Sequence, residues 1–254
     1  MKHYQGYLID LDGTMYRGKE KIEEAGDFVH RLKDKGIPYL FVTNNSSRRP
    51  EQVAEKLCKF DIPTEPNQVF TTSMATANYM ATKKPGGTAY IIGEEGIRSA
   101  VESKGLTIVD EHPDYVVVGI DRGITYEKLA LACLGVRNGA TFISTNGDIA
   151  IPTERGLLPG NGSLTSVVTV STQTQPIFIG KPEAIIMEQA LKVLDVPKEN
   201  AIMVGDNYDT DILAGIRTGM DTLLVHTGVT TKEILTQKDI QPTYTIHSLS
   251  EWKV

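Results

Sequence analysis

Two cysteines in 254 residues, Cys58 and Cys133, are too few for a disulfide framework. Each falls inside an apolar helical pattern and the two are far apart in the chain. Buried free thiols are therefore expected, with a disulfide or a reactive thiol as the lesser alternative. Positive charge is in the minority: 26 Lys and Arg stand against 32 Asp and Glu, a net charge of −6. Nucleic acid is not expected as a partner, because binding it needs a basic patch that displaces counterions. An anionic substrate would meet a repulsive global field, so any phosphate chemistry must supply its own local cations. No apolar run approaches the ~18 residues of a membrane span, so no membrane partner is expected. His3-Tyr4-Gln5-Gly6 runs straight into Tyr7-Leu8-Ile9 without an apolar leader segment, and a cleaved signal is not expected. These absences together point to the cytoplasm. Also missing is the Gly-x-Gly-x-x-Gly turn of a dinucleotide-binding dehydrogenase, and there is no internal repeat or low-complexity tract.

The composition is otherwise that of a globular enzyme-sized chain, 40% hydrophobic and 23% charged. Its length allows one large domain or two smaller ones. Short apolar runs alternate with helical patterns. Tyr7-Leu8-Ile9 is the first strand candidate, followed by an amphipathic helix over 22–35 with Phe28, Val29 and Leu32 on one face and Gly36 as its stop. Ile37 to Val42 reads as the second strand, and Pro50 opens a helix carrying Val53, Ala54, Leu57 and Cys58. Ile177-Phe178-Ile179, Ala201-Ile202-Met203-Val204 and Thr222-Leu223-Leu224-Val225 read as later strands, separated by helices over 183–194 and 209–219. Continuously apolar strands alternating with helices predict an α/β fold with a doubly wound, parallel sheet. The middle of the chain has its own strands near 89–92, 115–118 and 141–143, and its own helices near 96–104 and 125–138. Polar, turn-rich stretches flank it. It reads as an inserted α/β domain over 80–176, with 1–79 and 177–254 forming the first domain; the first junction could also lie nearer Thr72.

Four segments place polar residues just after apolar strands, where ligands bind in open α/β sheets. In Leu8-Ile9-Asp10-Leu11-Asp12-Gly13-Thr14, the two carboxylates share a face of an extended chain. Carboxylates so close need a cation or a shared proton. The pair suits a hard cation such as Mg²⁺, and it suits one carboxylate as nucleophile with the other as acid and base. Thr43-Asn44-Asn45-Ser46 offers a hydroxyl and two amides that can donate to phosphate oxygens, although such residues are also ordinary turn formers. Lys181, between Gly180 and Pro182, can neutralise a carboxylate and a phosphate together, although a single Lys is more often a solvated surface charge. In Gly205-Asp206-Asn207-Tyr208-Asp209-Thr210-Asp211, the acids exceed what helix capping requires. Asp206 is the natural third metal oxygen, and either Asp209 or Asp211 can support from behind.

As an ordered set these segments resemble the haloacid dehalogenase (HAD) superfamily of phosphohydrolases. The resemblance covers the whole chain, and the insertion lies where that family's C2-type caps sit. Thr43-Asn44-Asn45-Ser46 and Ser144-Thr145-Asn146-Gly147-Asp148 are similar to the NagD/para-nitrophenyl phosphatase branch. The resemblance implies a HAD-like core with a C2-type cap. It implies that Asp10 is the nucleophile, that Asp12 is the acid and then the base, and that Thr43 and Lys181 bind the phosphoryl group. It implies Mg²⁺ held by the Asp10 carboxylate, the Asp12 carbonyl and the Asp206 carboxylate, with Asp211, in the branch's spacing, in support. Asn146 and Asp148 would contribute to specificity from the cap. The implied activity is a Mg²⁺-dependent phosphomonoesterase whose partner is a small phosphorylated metabolite: a sugar or sugar-acid phosphate, a nucleoside monophosphate, or an aryl phosphate in assays. A narrow phosphatase or phosphotransferase for one metabolite is the alternative, and a non-catalytic binding module is a further one that intact Asp10, Asp12, Lys181 and Asp206 argue against. A homo-oligomer is compatible with all of this.

Overall fold

The computed structural model describes Lys2–Val254. In chain order the strands are β1 (Gly6–Ile9), β2 (Tyr16–Arg17), β3 (Glu20–Lys21), β4 (Tyr39–Thr43), β5 (Val69–Thr71), β6 (Thr88–Ile92), β7 (Thr107–Ile108), β8 (Tyr115–Val118), β9 (Thr141–Ser144), β10 (Ala150–Thr153), β11 (Gly156–Pro159), β12 (Ile177–Phe178), β13 (Ala201–Gly205), β14 (Asp221–Val225) and β15 (Tyr244–Ile246). The helices are α1 (Glu23–Asp34), α2 (Pro50–Cys58), α3 (Thr72–Lys83), α4 (Glu95–Ser103), α5 (Tyr126–Arg137), α6 (Asn161–Thr172), α7 (Ala184–Leu194), α8 (Leu213–Thr218) and α9 (Lys232–Leu235). The chain divides into two compact units. The first comprises 1–43, 51–70 and 181–254, and the second 44–50 and 71–180.

The first unit is built on a six-stranded sheet of order β15-β14-β13-β1-β4-β5. β1 lies at its middle, pairing in parallel with β13 and β4. All four residues of β1 and all five of β4 and of β13 are buried, as the unbroken apolar runs require of a sheet covered on both faces. The core gathers Tyr7 and Ile9 of β1, Phe28, Val29 and Leu32 of α1, Phe41 of β4, Val204 of β13 and Trp252. The α1 stripe is the one read from the sequence, and Gly36, at φ +65°, follows the helix. Trp252 donates its indole N–H to the Tyr7 hydroxyl at 3.1 Å.

The second unit has a parallel five-stranded sheet of order β12-β9-β8-β6-β7. Tyr90, Ile92, Val116, Val118, Cys133, Phe142 and Val168 form its core with α5 and α6. The structure departs from the sequence reading in several places. Ile177–Phe178 does not join the first sheet; it pairs with β9, Ile177 opposite Ile143, at the edge of the second. The main span of the second unit, 71–180, begins at the alternative junction near Thr72, and the unit also includes 44–50. Both cysteines are free, but only Cys133 is buried. Cys58, the last residue of α2, is exposed, its Sγ 3.4 Å from the Thr64 carbonyl. The helix read over 209–219 begins as a π-helical turn, Tyr208–Ile212, before α8. Among the described residues no helix is long and apolar enough to cross a membrane.

Candidate active site

β1 and β13 run side by side, and both deliver carboxylates at their carboxyl ends. Asp10 continues the pairing for one more residue, its N–H donating to the Val204 carbonyl at 2.9 Å. Beyond it the chain turns on itself: Met15 N–H reaches the Leu11 carbonyl at 2.8 Å, and Gly13 N–H the Tyr16 carbonyl at 2.7 Å. Gly13 makes this turn at φ +90°, a conformation that side chains disfavour. Any Cβ there would also lie 2.3 Å from Asp206 Oδ2, so glycine is required twice over.

Lys181 joins the acids into one cluster. Its ammonium is buried, 2.5 Å from Asp10 Oδ1, 2.8 Å from Asp211 Oδ1 and 2.9 Å from the Val42 carbonyl. The Lys181–Pro182 peptide is cis. Thr14 Oγ1 lies between Asp10 Oδ2, at 3.4 Å, and Asp206 Oδ1, at 3.2 Å. Asp206 Oδ2 accepts the Val229 N–H at 2.7 Å, and Asp211 Oδ2 the Asn207 N–H at 3.1 Å. The π-helical turn carries Asp211 to this place. Asp209, two residues earlier, is instead exposed and pairs with Lys238 at 2.6 Å. Of the two acids left open by the sequence, Asp211 is the one in the cluster.

The electrostatics are unbalanced. Oxygens of Asp10, Asp206 and Asp211 lie within 4.8 Å of one another. Three carboxylates against one ammonium leave two negative charges when all are ionised, in a place from which water is largely excluded. Burial, then repulsion from Asp211, holds the Asp10 carboxyl well above the usual range against the pull of Lys181. Burial and Asp211 push Asp206 up to about 7, although the Val229 amide and Thr14 pull the other way. Burial alone would lower the Lys181 ammonium, but Asp10 and Asp211 outweigh it and raise it. The set therefore lacks about two positive charges and offers only hard oxygen donors. A divalent Mg²⁺ ion fits both requirements.

Asp12 lies beyond the strand end and is exposed; Tyr16 O–H donates to its Oδ2 at 3.3 Å. Thr43 is buried at the end of β4. Asn44 and Asn45 group with the second unit. Asn44 Nδ2 is 3.3 Å from Asp148 Oδ1, and Asn45 Oδ1 caps the turn by accepting from the Ser47 and Arg48 N–H groups, both at 3.0 Å. Asn146 is buried, with Nδ2 on the Asn44 carbonyl at 2.8 Å and Oδ1 accepting the Asp148 N–H at 3.0 Å. Its amide thus holds two chain segments of the second unit together. Sequence reasoning missed the phenol of Tyr16, the Val42 carbonyl and the Val229 amide. The one signal for the last was Gly228, where a Cβ would lie 1.9 Å from Asp206 Oδ2.

Comparison with known proteins shows the family of the chain. A profile of the haloacid dehalogenase-like hydrolases matches residues 7–107, and a HAD-hydrolase-like profile matches 178–252. The 5'-nucleotidase YutF of Bacillus subtilis is 69% identical over 99% of this chain and 98% of its own length. An acid sugar phosphatase of Staphylococcus aureus is 56% identical over 99% and 97%. The crystal structure of a double mutant of a thermostable NPPase from Geobacillus stearothermophilus superposes with a TM-score of 0.95. It is 60% identical and covers 100% of this chain and 99% of the other.

Proposed function

We infer that this chain, which belongs to the haloacid dehalogenase-like hydrolase family and is a hydrolase of phosphoric monoesters, passes the phosphoryl group of small metabolites through Asp10. The observation that carries the reading is the buried Asp10 carboxylate, bridged by Lys181 to Asp211 and flanked by Asp206. A structural ion pair needs one acid for one base; here three acids surround one ammonium at two adjacent strand ends.

In the first step an Asp10 oxygen attacks phosphorus, and the bond from phosphorus to the ester oxygen breaks. The leaving oxygen takes a proton from Asp12. In the second step water attacks the aspartyl-phosphate and yields its proton to Asp12. The Asp10 carboxylate and inorganic phosphate are released. Lys181 and Thr43 hold the phosphoryl oxygens, and Lys181 offsets the repulsion between an anionic nucleophile and an anionic ester. The Asp10 and Asp206 carboxylates and the Asp12 carbonyl would hold Mg²⁺, which would supply the positive charge that the cluster lacks. Asp211 holds the Lys181 ammonium at 2.8 Å.

The second unit serves as the cap that selects the leaving group, and the protein works in the cytoplasm. The relatives' names direct the choice of substrates to nucleoside 5'-monophosphates and sugar phosphates, with p-nitrophenyl phosphate as the convenient reporter. The deciding experiment assays phosphate release from these three classes, with Mg²⁺ and with excess chelator. Release that requires Mg²⁺ and disappears in Asp10→Asn supports the reading. Full activity in chelator would remove the metal assignment, and activity in Asp10→Asn would remove the nucleophile.

A further inference from the structure

We propose that Tyr16 is a positioning residue that aims Asp12 and favours its proton-donating step, with Lys56 tuning it from behind. The proposal rests on Asp12 as the acid and base described above. Asp12 itself is exposed on the turn that follows β1. General acid catalysis requires one oxygen held toward the leaving group. Tyr16 meets that need from a fixed place. Tyr16 is buried, at 4% exposure, and its hydroxyl donates to Asp12 Oδ2 at 3.3 Å. The backbones of the two residues are joined by a β-bridge, and the Gly13 N–H bond to the Tyr16 carbonyl closes the turn between them. The ring cannot drift, because Phe60 packs against it at 5.5 Å between centroids. On the ring lies the Lys56 ammonium of α2, 3.5 Å from the centroid.

The chemistry gives this contact a direction. As Asp12 gives its proton to the leaving oxygen it becomes an anion, and the Tyr16 bond to it becomes charge-assisted and stronger. A cation over the ring draws electron density from the phenol and makes its O–H a better donor. Tyr16 therefore stabilises the transition state of the first step more than the bound ester. In the second step Asp12 loses its charge as it accepts the proton from water. There the same bond orients the carboxylate but opposes the charge change, so the two effects offset.

The test is a double-mutant cycle on the full-length protein: wild type, Tyr16→Phe, Asp12→Asn and the double variant, all checked for unchanged melting temperature. Phosphoenzyme formation is followed in single turnovers with an alkyl phosphate and with p-nitrophenyl phosphate, whose good leaving group needs little protonation. Tyr16→Phe keeps the ring and should slow formation from the alkyl ester about tenfold, with KM unchanged, and from the aryl ester less than about twofold. Phosphoenzyme hydrolysis should change by less than about threefold. In the Asp12→Asn background the Tyr16 change should have no further effect. Lys56→Met should act in the same direction, by about threefold. Equal slowing of both esters, a change in KM alone, or losses that multiply in the double variant would overturn the proposal while leaving Asp12 in its role. Normal turnover by Asp12→Asn would instead overturn the acid–base reading, and Tyr16 with it.

Discussion

Both units of the molecule place buried polar residues just past the ends of parallel strands, yet they do so with different chemistry. In the first unit the charged residues dominate: Asp10 and Asp206 follow β1 and β13, and Lys181 and Asp211 are buried with them, beside the neutral Thr14 and Thr43. In the second, neutral residues dominate. Asn161 Nδ2 is shared among the Val118 carbonyl, Ser144 Oγ, Thr145 Oγ1 and the Asn146 carbonyl at 2.8–3.2 Å, and Ser144 Oγ pairs with Thr165 at 2.8 Å. The one buried carboxylate of the second unit, Asp121, has its own counter-ion in Lys128 at 2.7 Å. The Asn161 amide nitrogen serves its acceptors, although its Oδ1 is buried without a partner, and neutral groups cost far less to bury than charges. The first cluster gathers three acids about one base, more acid than a structural ion pair uses. Similar sheets thus hold a neutral network in one unit and, in the proposed reading, the reactive groups in the other.

The comparison is broken most severely at Asp10. Asp10→Asn keeps the shape of the side chain, so the fold should survive while turnover falls by at least about 10⁴-fold. Equal melting temperatures with lost phosphate release would check it. Metal comes next. Asp206→Ala should raise the Mg²⁺ concentration needed for half-maximal effect by about 10- to 100-fold, measured both by activity and by calorimetric titration of the protein alone. An unchanged titration would move the ligand to Asp211. The second unit should show the opposite pattern. Asn161→Ala leaves buried acceptors without a donor and should cost about 1–3 kcal/mol of stability. Activity per folded molecule should stay near wild type, which denaturant unfolding and a rate assay at low temperature would show together.

Much of this contrast was legible in the sequence. Asp10 and Thr43 stand directly after apolar runs, and Asp12 and Asp206 one or two residues further on, so the end of a buried strand could be read for each. Lys181 was found for a partly mistaken reason: the run before it looks the same whichever sheet it joins, and only its pairing with β9 assigns Ile177–Phe178 to the second. Helix α6 went unread because Asn161-Gly162-Ser163-Leu164-Thr165-Ser166-Val167-Val168 is rich in poor helix formers, although its buried positions, Asn161, Thr165 and Val168, follow helical spacing. The hairpin of β10 and β11 also went unread; most of its residues are exposed or half-buried, without a clear alternation. Val229 acts through its backbone N–H, which almost any residue would supply, so its identity carries no signal. Tyr16 reads as one more core aromatic until its hydroxyl is seen on Asp12.

The smallest expected effect is a matter of pH. Asp206 is raised to about 7 in the folded, metal-free chain, above its unfolded value. A raised carboxyl contributes stability that is fully present below the unfolded value and is lost as pH rises through about 7. The metal-free protein should therefore melt lower at pH 8 than at pH 6. Asp206→Asn should reduce that slope, and Mg²⁺ should remove most of it in the wild type. No comparable slope should come from the neutral strand-end network of the second unit, and Asn161→Ala should leave the pH dependence unchanged.

The central claim is that Asp10 carries the phosphoryl group while Asp12 moves protons. The most direct measurement uses Asp12→Asn with p-nitrophenyl phosphate, quenched in acid and examined by intact-mass and peptide mass spectrometry. The first step needs little acid with this ester, whereas hydrolysis of the intermediate still needs the base. The account predicts a protein heavier by one phosphoryl group, with the adduct on Asp10, and no adduct in Asp10→Asn. An adduct on another residue, or one that still forms in Asp10→Asn, would contradict it.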